Sequence, residues 1–102
     1  MKLKLYNESL PILDKYSYEL KIPFNKLTIK DLKSKWGSCS WTNNITLNLK
    51  LVHLPFEFLE YVIIHEACHL KEKNHWKKFW DLVWKYFPDY KNTRKELKKV
   101  SF

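Results

Sequence analysis

The period of apolar residues changes along the chain, and each change predicts an element. Between Ser9 and Ile22, the residues Leu10, Leu13, Tyr16 and Leu20 recur at helical spacing. Ser9 suits the cap and Pro11 the first turn, and Pro23 stops the predicted helix. KLTIKDL (26–32) alternates and predicts a strand. In KSKWGSCSWTNNITLNL, Asn43 and Asn44 tolerate positive φ and predict a tight turn. After it, Ile45, Leu47 and Leu49 alternate with Thr46, Asn48 and Lys50, the pattern of a half-buried strand. From Pro55 the period lengthens. FEFLEYVIIHEACHLK is apolar nearly all round, which predicts a helix buried on most sides. A break is expected around Lys73–Asn74. HWKKFWDLVWKYF then reads as a second helix, with Trp76, Phe79, Trp80 and Val83 at 3–4 spacing and Pro88 ending it. DYKNTRKELKKV reads as a third, short and mostly polar. The order predicts an α+β fold: an N-terminal helix, a small antiparallel sheet, a long buried helix and two C-terminal helices. No linker interrupts it, so residues 1–102 are expected to form one domain.

Composition adds three constraints. The 102 residues are 45% hydrophobic and 17% aromatic, so few side chains can build a dense core. The net charge is +8, nearly all from lysine, with Arg94 the single arginine. Such a surface favours anionic partners, nucleic acid and nucleotides included. Lysine spread along the whole chain is usually only a solvated surface, and scarce arginine argues against a reader of base edges. No stretch nears the roughly 20 apolar residues that span a bilayer, and MKLKLYNESLPILDKY lacks a signal-peptide core. A cytoplasmic location with no membrane partner is therefore expected, with Cys39 and Cys68 as free thiols.

The chemistry concentrates in HEACHLKEKNH (65–75), which holds three of the four histidines. On a helix, residues four apart share a face, so His65 and His69 can bind one metal ion. Glu66 lies about 100° round the helix, beside the metal and not on it. This H-E-x-x-H arrangement suits hydrolysis. Two neutral imidazoles hold Zn²⁺, a water on the metal becomes acidic near neutral pH, and Glu66 takes the proton and passes it to the leaving group. Ni²⁺ or Co²⁺ suit such ligands in vitro as well. A catalytic zinc wants a third protein ligand. His75 reaches the metal only if the helix breaks between Leu70 and Asn74, and Asn74 in a left-handed conformation would make that turn. A bare match of this motif is expected by chance about once in a hundred such sequences, but here it falls inside a buried helix and a turn former precedes a third histidine. The histidine spacing equals that of metzincins, but Glu72 replaces their glycine and Met1 is the only methionine, so no Met-turn exists.

Other residues have plainer roles beside the chemical ones. Gly37 is the sole glycine where average usage gives about seven. It marks a positive φ, a close backbone approach or an ordinary strand kink. Cys39 and Cys68 read as small buried hydrophobes ahead of ligands. His53 is an accessory candidate, though a surface or capping role suits it better. Tyr61 and Arg94 are candidate oxyanion helpers. Glu96, 27 residues after His69, is the alternative third ligand. The Trp76/Trp80/Trp84 row reads as core ahead of a ligand platform.

Several longer elements resemble the YgjP-like family of zinc metallopeptidases, which is itself similar to the SprT-like proteases. They are KWGSCS (35–40), ITLN (45–48), YVIIHEACHL (61–70), NH (74–75), FW (79–80) and PDY (88–90), in the family's order over about residues 26–97. The resemblance implies His65, His69 and His75 as zinc ligands and Glu66 as the acid/base. It also implies a gluzincin-like (zincin-like) core, in which a sheet edge near the active-site helix pairs with an extended peptide or protein substrate. Trp76 departs from the family's small polar residue, and the β-rich N-terminal region of many members is lacking, as in a minimal member or a catalytic core. The expected activity is a zinc-dependent metallopeptidase. The alternatives are a zinc-dependent nucleotide phosphoanhydride hydrolase and a nucleic-acid-associated module with a structural zinc.

Overall fold

Helix α1 spans Lys2–Leu20 in the computed structural model, which describes residues 1–100. It starts well before the predicted Ser9. Leu5 extends the buried stripe of Leu13, Tyr16 and Leu20, and is itself 1% exposed. That burial and the added turns of backbone hydrogen bonds outweigh the one bond lost at Pro11, which sits inside the helix. Ser9 is consequently a buried helical residue and no cap, and its Oγ has no hydrogen-bond partner among the described residues. The helix closes at Lys21 in a left-handed conformation, φ 59°.

Three strands follow: β1 (Lys26–Lys30), β2 (Gly37–Cys39) and β3 (Asn44–Asn48), in the spatial order β1-β3-β2. β2 and β3 form an antiparallel hairpin, while β1 runs parallel to β3. The sheet is mixed, not the antiparallel sheet expected. The alternation in β1 and β3 reports which face is buried and says nothing of strand direction. Here residues 31–36 and β2 together make the crossover that parallel pairing requires. The hairpin turn is the predicted one: Asn43 takes φ 64°, and Ser40 Oγ accepts the Asn44 N–H at 3.0 Å. β3 ends sooner than its alternation suggested. The Asn48 side chain accepts the Lys50 N–H and starts a 3-10 turn, Leu49–His53.

Helix α2 (Phe56–Lys71) is the centre of the molecule. Ile63, Ile64, Ala67 and Cys68 are fully buried on it, each large aliphatic contributing about 2–3 kcal/mol. α1, the sheet, α3 (Lys77–Tyr86) and α4 (Tyr90–Lys98) all pack around α2. α3 commits Phe79 and Val83 to the core, whereas Trp76 and Trp84 are 74% and 61% exposed. The tryptophan row is therefore no core stripe, because Phe79 and Val83 point inward on a different face. Among the described residues no helix is long and apolar enough to cross a membrane.

Candidate active site

One turn of α2 separates His65 from His69, and the helix stops two residues later at Lys71. Glu72 adopts extended backbone, φ −120° and ψ 102°, which turns the chain back and returns His75 to the other two histidines. The break falls where the sequence placed it, but by another route. The only non-glycine residues with positive φ among those described are Lys21 and Asn43, so Asn74 is not left-handed. Lys73 fixes the linker instead. Its Nζ donates to the Asn43 side-chain oxygen and, at 3.2 Å, to the Ser40 carbonyl, tying residues 72–76 to the β2–β3 turn.

The three imidazoles converge through one nitrogen each. His75 Nε2 lies 2.9 Å from His69 Nε2 and 3.3 Å from His65 Nε2. All three ligand atoms fall within 4.8 Å of one another. Two nitrogens on one tetrahedral zinc at about 2.0–2.1 Å are about 3.3 Å apart, close to the two separations made by His75. The donor chemistry fits as well. His69 Nδ1 is 2.9 Å from the Glu72 carbonyl, an acceptor only, so Nδ1 carries the hydrogen and Nε2 presents a lone pair. His65 Nδ1 meets the Tyr61 hydroxyl at 3.3 Å, and donating to it frees Nε2 in the same way. Burial, then the neighbouring His69, His75 and Arg94, push His65 down to about 3. Burial likewise lowers His69, partly opposed by the Glu72 carbonyl. Both rings are therefore neutral, the form a metal needs. Phe79 stacks on His69 at 4.2 Å between centroids and seals the cluster from the core side.

Glu66 packs against β2. A Cβ on residue 37 would meet Val62 Cγ1 at 3.0 Å and Glu66 Cγ and Oε2 at 3.1 Å each. Gly37 thus answers to close approach and not to positive φ, which it lacks. Burial pushes the Glu66 carboxyl up to about 8, with the charge of Lys35 pulling weakly the other way. Glu66 and His65 both line a cleft of about 370 Å³, walled by Ser34, Lys35, Trp36 and Gly37 on one side and by Arg94, Leu97 and Lys98 on the other. The first wall is held by buried Asn48. Its amide donates to the carbonyls of Leu32 at 3.2 Å and Lys35 at 2.9 Å, and its backbone N–H donates to the Trp36 carbonyl.

The remaining candidates separate cleanly. Tyr61 and Arg94 line the cleft. His53 is exposed at the end of the 3-10 turn and lines no part of it. Glu96 is exposed and paired with Lys99 at 3.4 Å, outside the histidine cluster, because α4 turns it away. Cys68 is core, its thiol pushed to about 12 by burial, and Cys39 is a free thiol in β2. Lys35, Leu97 and Lys98 also line the cleft, and no motif in the sequence marks them singly. The i, i+3, i+4, i+7 spacing of Lys91, Arg94, Lys95 and Lys98 was the available signal for the second wall.

A family model described as YgjP-like, metallopeptidase domain, matches residues 2–100. Two solved structures are similar over most of their length. One is the metallopeptidase zymogen of Pyrococcus abyssi abylysin, at 26% identity and a TM-score of 0.76, covering 87% of this chain and 90% of that one. The other is the metallopeptidase zymogen of Methanocaldococcus jannaschii jannalysin, at 33% identity and a TM-score of 0.71, covering 88% and 91%. No curated protein matches significantly.

Proposed function

The chain belongs to the YgjP-like metallopeptidase family, and from that premise we propose that it hydrolyses peptide bonds with one zinc ion held by His65, His69 and His75 and with Glu66 as general base and acid. The observation that carries this reading is the convergence of three imidazole nitrogens, with one of the three rings, His65, lining the same cleft as the buried Glu66 carboxyl. The matched family implies a metal cofactor, and three imidazole donors suit zinc. When bound, zinc supplies a Lewis acid that acidifies water and polarises a carbonyl.

The protein's own groups do the rest. Glu66 as carboxylate accepts the proton of the attacking water. As the acid it returns that proton to the departing amine. Burial raises Glu66 towards the working pH, so both forms are accessible there. Tyr61, pushed to about 12 chiefly by burial, stays a phenol and orients His65. Arg94 stands 5.0 Å over the Trp80 ring, a fixed cation at the cleft wall for substrate oxygen. The free thiols of Cys39 and Cys68 suit a reducing compartment.

The test is Glu66→Gln, which preserves shape and removes the base. The variant should retain about one zinc per chain by elemental analysis and lose at least a hundredfold in peptide turnover, within the reach of general acid–base catalysis. Equal turnover by variant and wild type would overturn the assignment. So would cleavage of nucleoside triphosphates in place of peptides.

A further inference from the structure

Beside the catalytic cleft lies a second groove of about 360 Å³, lined by Trp80, Tyr90, Lys91, Arg94, Lys95 and Lys98. Arg94 and Lys98 belong to both walls, so groove and cleft are continuous. Trp80 and Tyr90 stack at 5.3 Å and 19° to form its apolar wall. The Arg94 guanidinium lies over Trp80, which holds its donors in a fixed plane. With Lys35 at the far side of the cleft, five cations surround the joined space, and among the described residues Glu66 is the only carboxylate that lines it. The ion pairs among the described residues, Lys50–Asp31, Lys77–Asp81 and Lys99–Glu96, use none of these five. Uncompensated cations around an aromatic wall call for an anionic ligand that also presents apolar surface.

We infer that the groove is a specificity subsite for acidic side chains, so that the preferred substrate carries aspartate or glutamate on the side of the scissile bond that passes over α4. The inference rests on the peptidase reading and names its substrate class. A planar carboxylate pairs with Arg94, while Lys91, Lys95 and Lys98 extend the field along the helix. Trp80 and Tyr90 take the methylene groups of a glutamate stem.

The experiment separates binding from turnover. Two fluorescent decapeptides differ only in three glutamates replaced by glutamines, and both are titrated into zinc-loaded Glu66→Gln protein by anisotropy. The acidic peptide should bind at least tenfold more tightly at low salt, and the ratio should shrink as salt screens the charges. Lys91→Glu/Lys95→Glu should abolish the ratio, whereas Lys2→Glu/Lys26→Glu, equal in charge change, should preserve it. Equal affinity for both peptides, or equal loss in both charge variants, overturns the subsite. In parallel, the wild-type protein is given both peptides and the cut products are sequenced. Cleavage without acidic preference overturns the subsite and leaves the peptidase reading intact. Acidic preference in binding with no cleavage of any peptide does the reverse. Tighter binding of a twelve-nucleotide single strand, lost in Lys91→Glu/Lys95→Glu, would assign the groove to nucleic acid and overturn the inference.

Discussion

Gly37 and Glu66 touch across the boundary between sheet and helix: the space a Cβ would fill on residue 37 is taken by the Glu66 side chain, 3.1 Å away. β2 can lie this close to α2 only with glycine there, and that closeness buries the carboxyl. Gly37→Ala should therefore act on chemistry as well as on packing. The added methyl meets Val62 too, so a loss of about 1–3 kcal/mol is expected in denaturant unfolding. Turnover should fall further than stability explains. Adding Val62→Ala should recover part of the stability, because one of the two contacts is relieved, and less of the activity.

The proton affinity of Glu66 gives a stability signature in the chelator-treated protein. The carboxyl ionises near 4.5 when unfolded and near 8 when folded. A raised value means the folded state keeps a proton that the unfolded state has lost. Its contribution is full below about pH 4.5 and disappears as pH rises through about 8. Glu66→Gln, which cannot ionise, should thus gain on wild type across that window and hold the gain above it. Urea midpoints at pH 4 and pH 8.5 test this, and a gain that shrinks with rising pH would contradict it.

Tyr61→Phe keeps the ring that packs edge-on against Phe87 at 5.7 Å and removes the oxygen beside His65 Nδ1. Groups that orient a metal ligand are worth about 10–100-fold in affinity. A loss near the lower figure is expected, since the contact is long at 3.3 Å. Competition with a zinc chelator measures it.

Two substitutions in the linker should differ sharply. Lys73→Met cuts the tether to Ser40 and Asn43 and frees the segment that carries His75. Zinc affinity should drop by about an order of magnitude, in the range of other supporting contacts. Asn74→Val should cost little, because Asn74 is exposed and has no left-handed backbone to protect.

How far the sequence could be read follows from which interactions are local. The α2 pattern ran to Lys71 as expected, since a helix apolar on most faces leaves few alternatives. The Asn43 turn was legible because the residue itself carries the conformational preference. The histidine spacing was legible for the same local reason. The direction of β1 was not, because alternation is identical in parallel and antiparallel strands. Nor was the early start of α1, where Leu5 answers to a partner distant in sequence. The exposure of Trp76 and Trp84 was not legible either, because repeated aromatic residues at helical spacing mark a face without saying which side it takes. The basic face of Lys91, Arg94, Lys95 and Lys98 is visible as a helical spacing, but its meeting with Lys35 is not, since only the fold brings residues so far apart onto one cleft.

The same division sets an order of events. The three proposed metal ligands lie within residues 65–75, whereas the cleft walls come from residues 34–37 and 94–98. Closing a ten-residue loop takes tens of nanoseconds, and long-range pairing is far slower. During synthesis, too, His75 leaves the ribosome well before α4 is available. If these histidines are the ligands, capture of the ion would be an early, local event, and a nascent chain would hold its metal before it has anywhere to put a substrate.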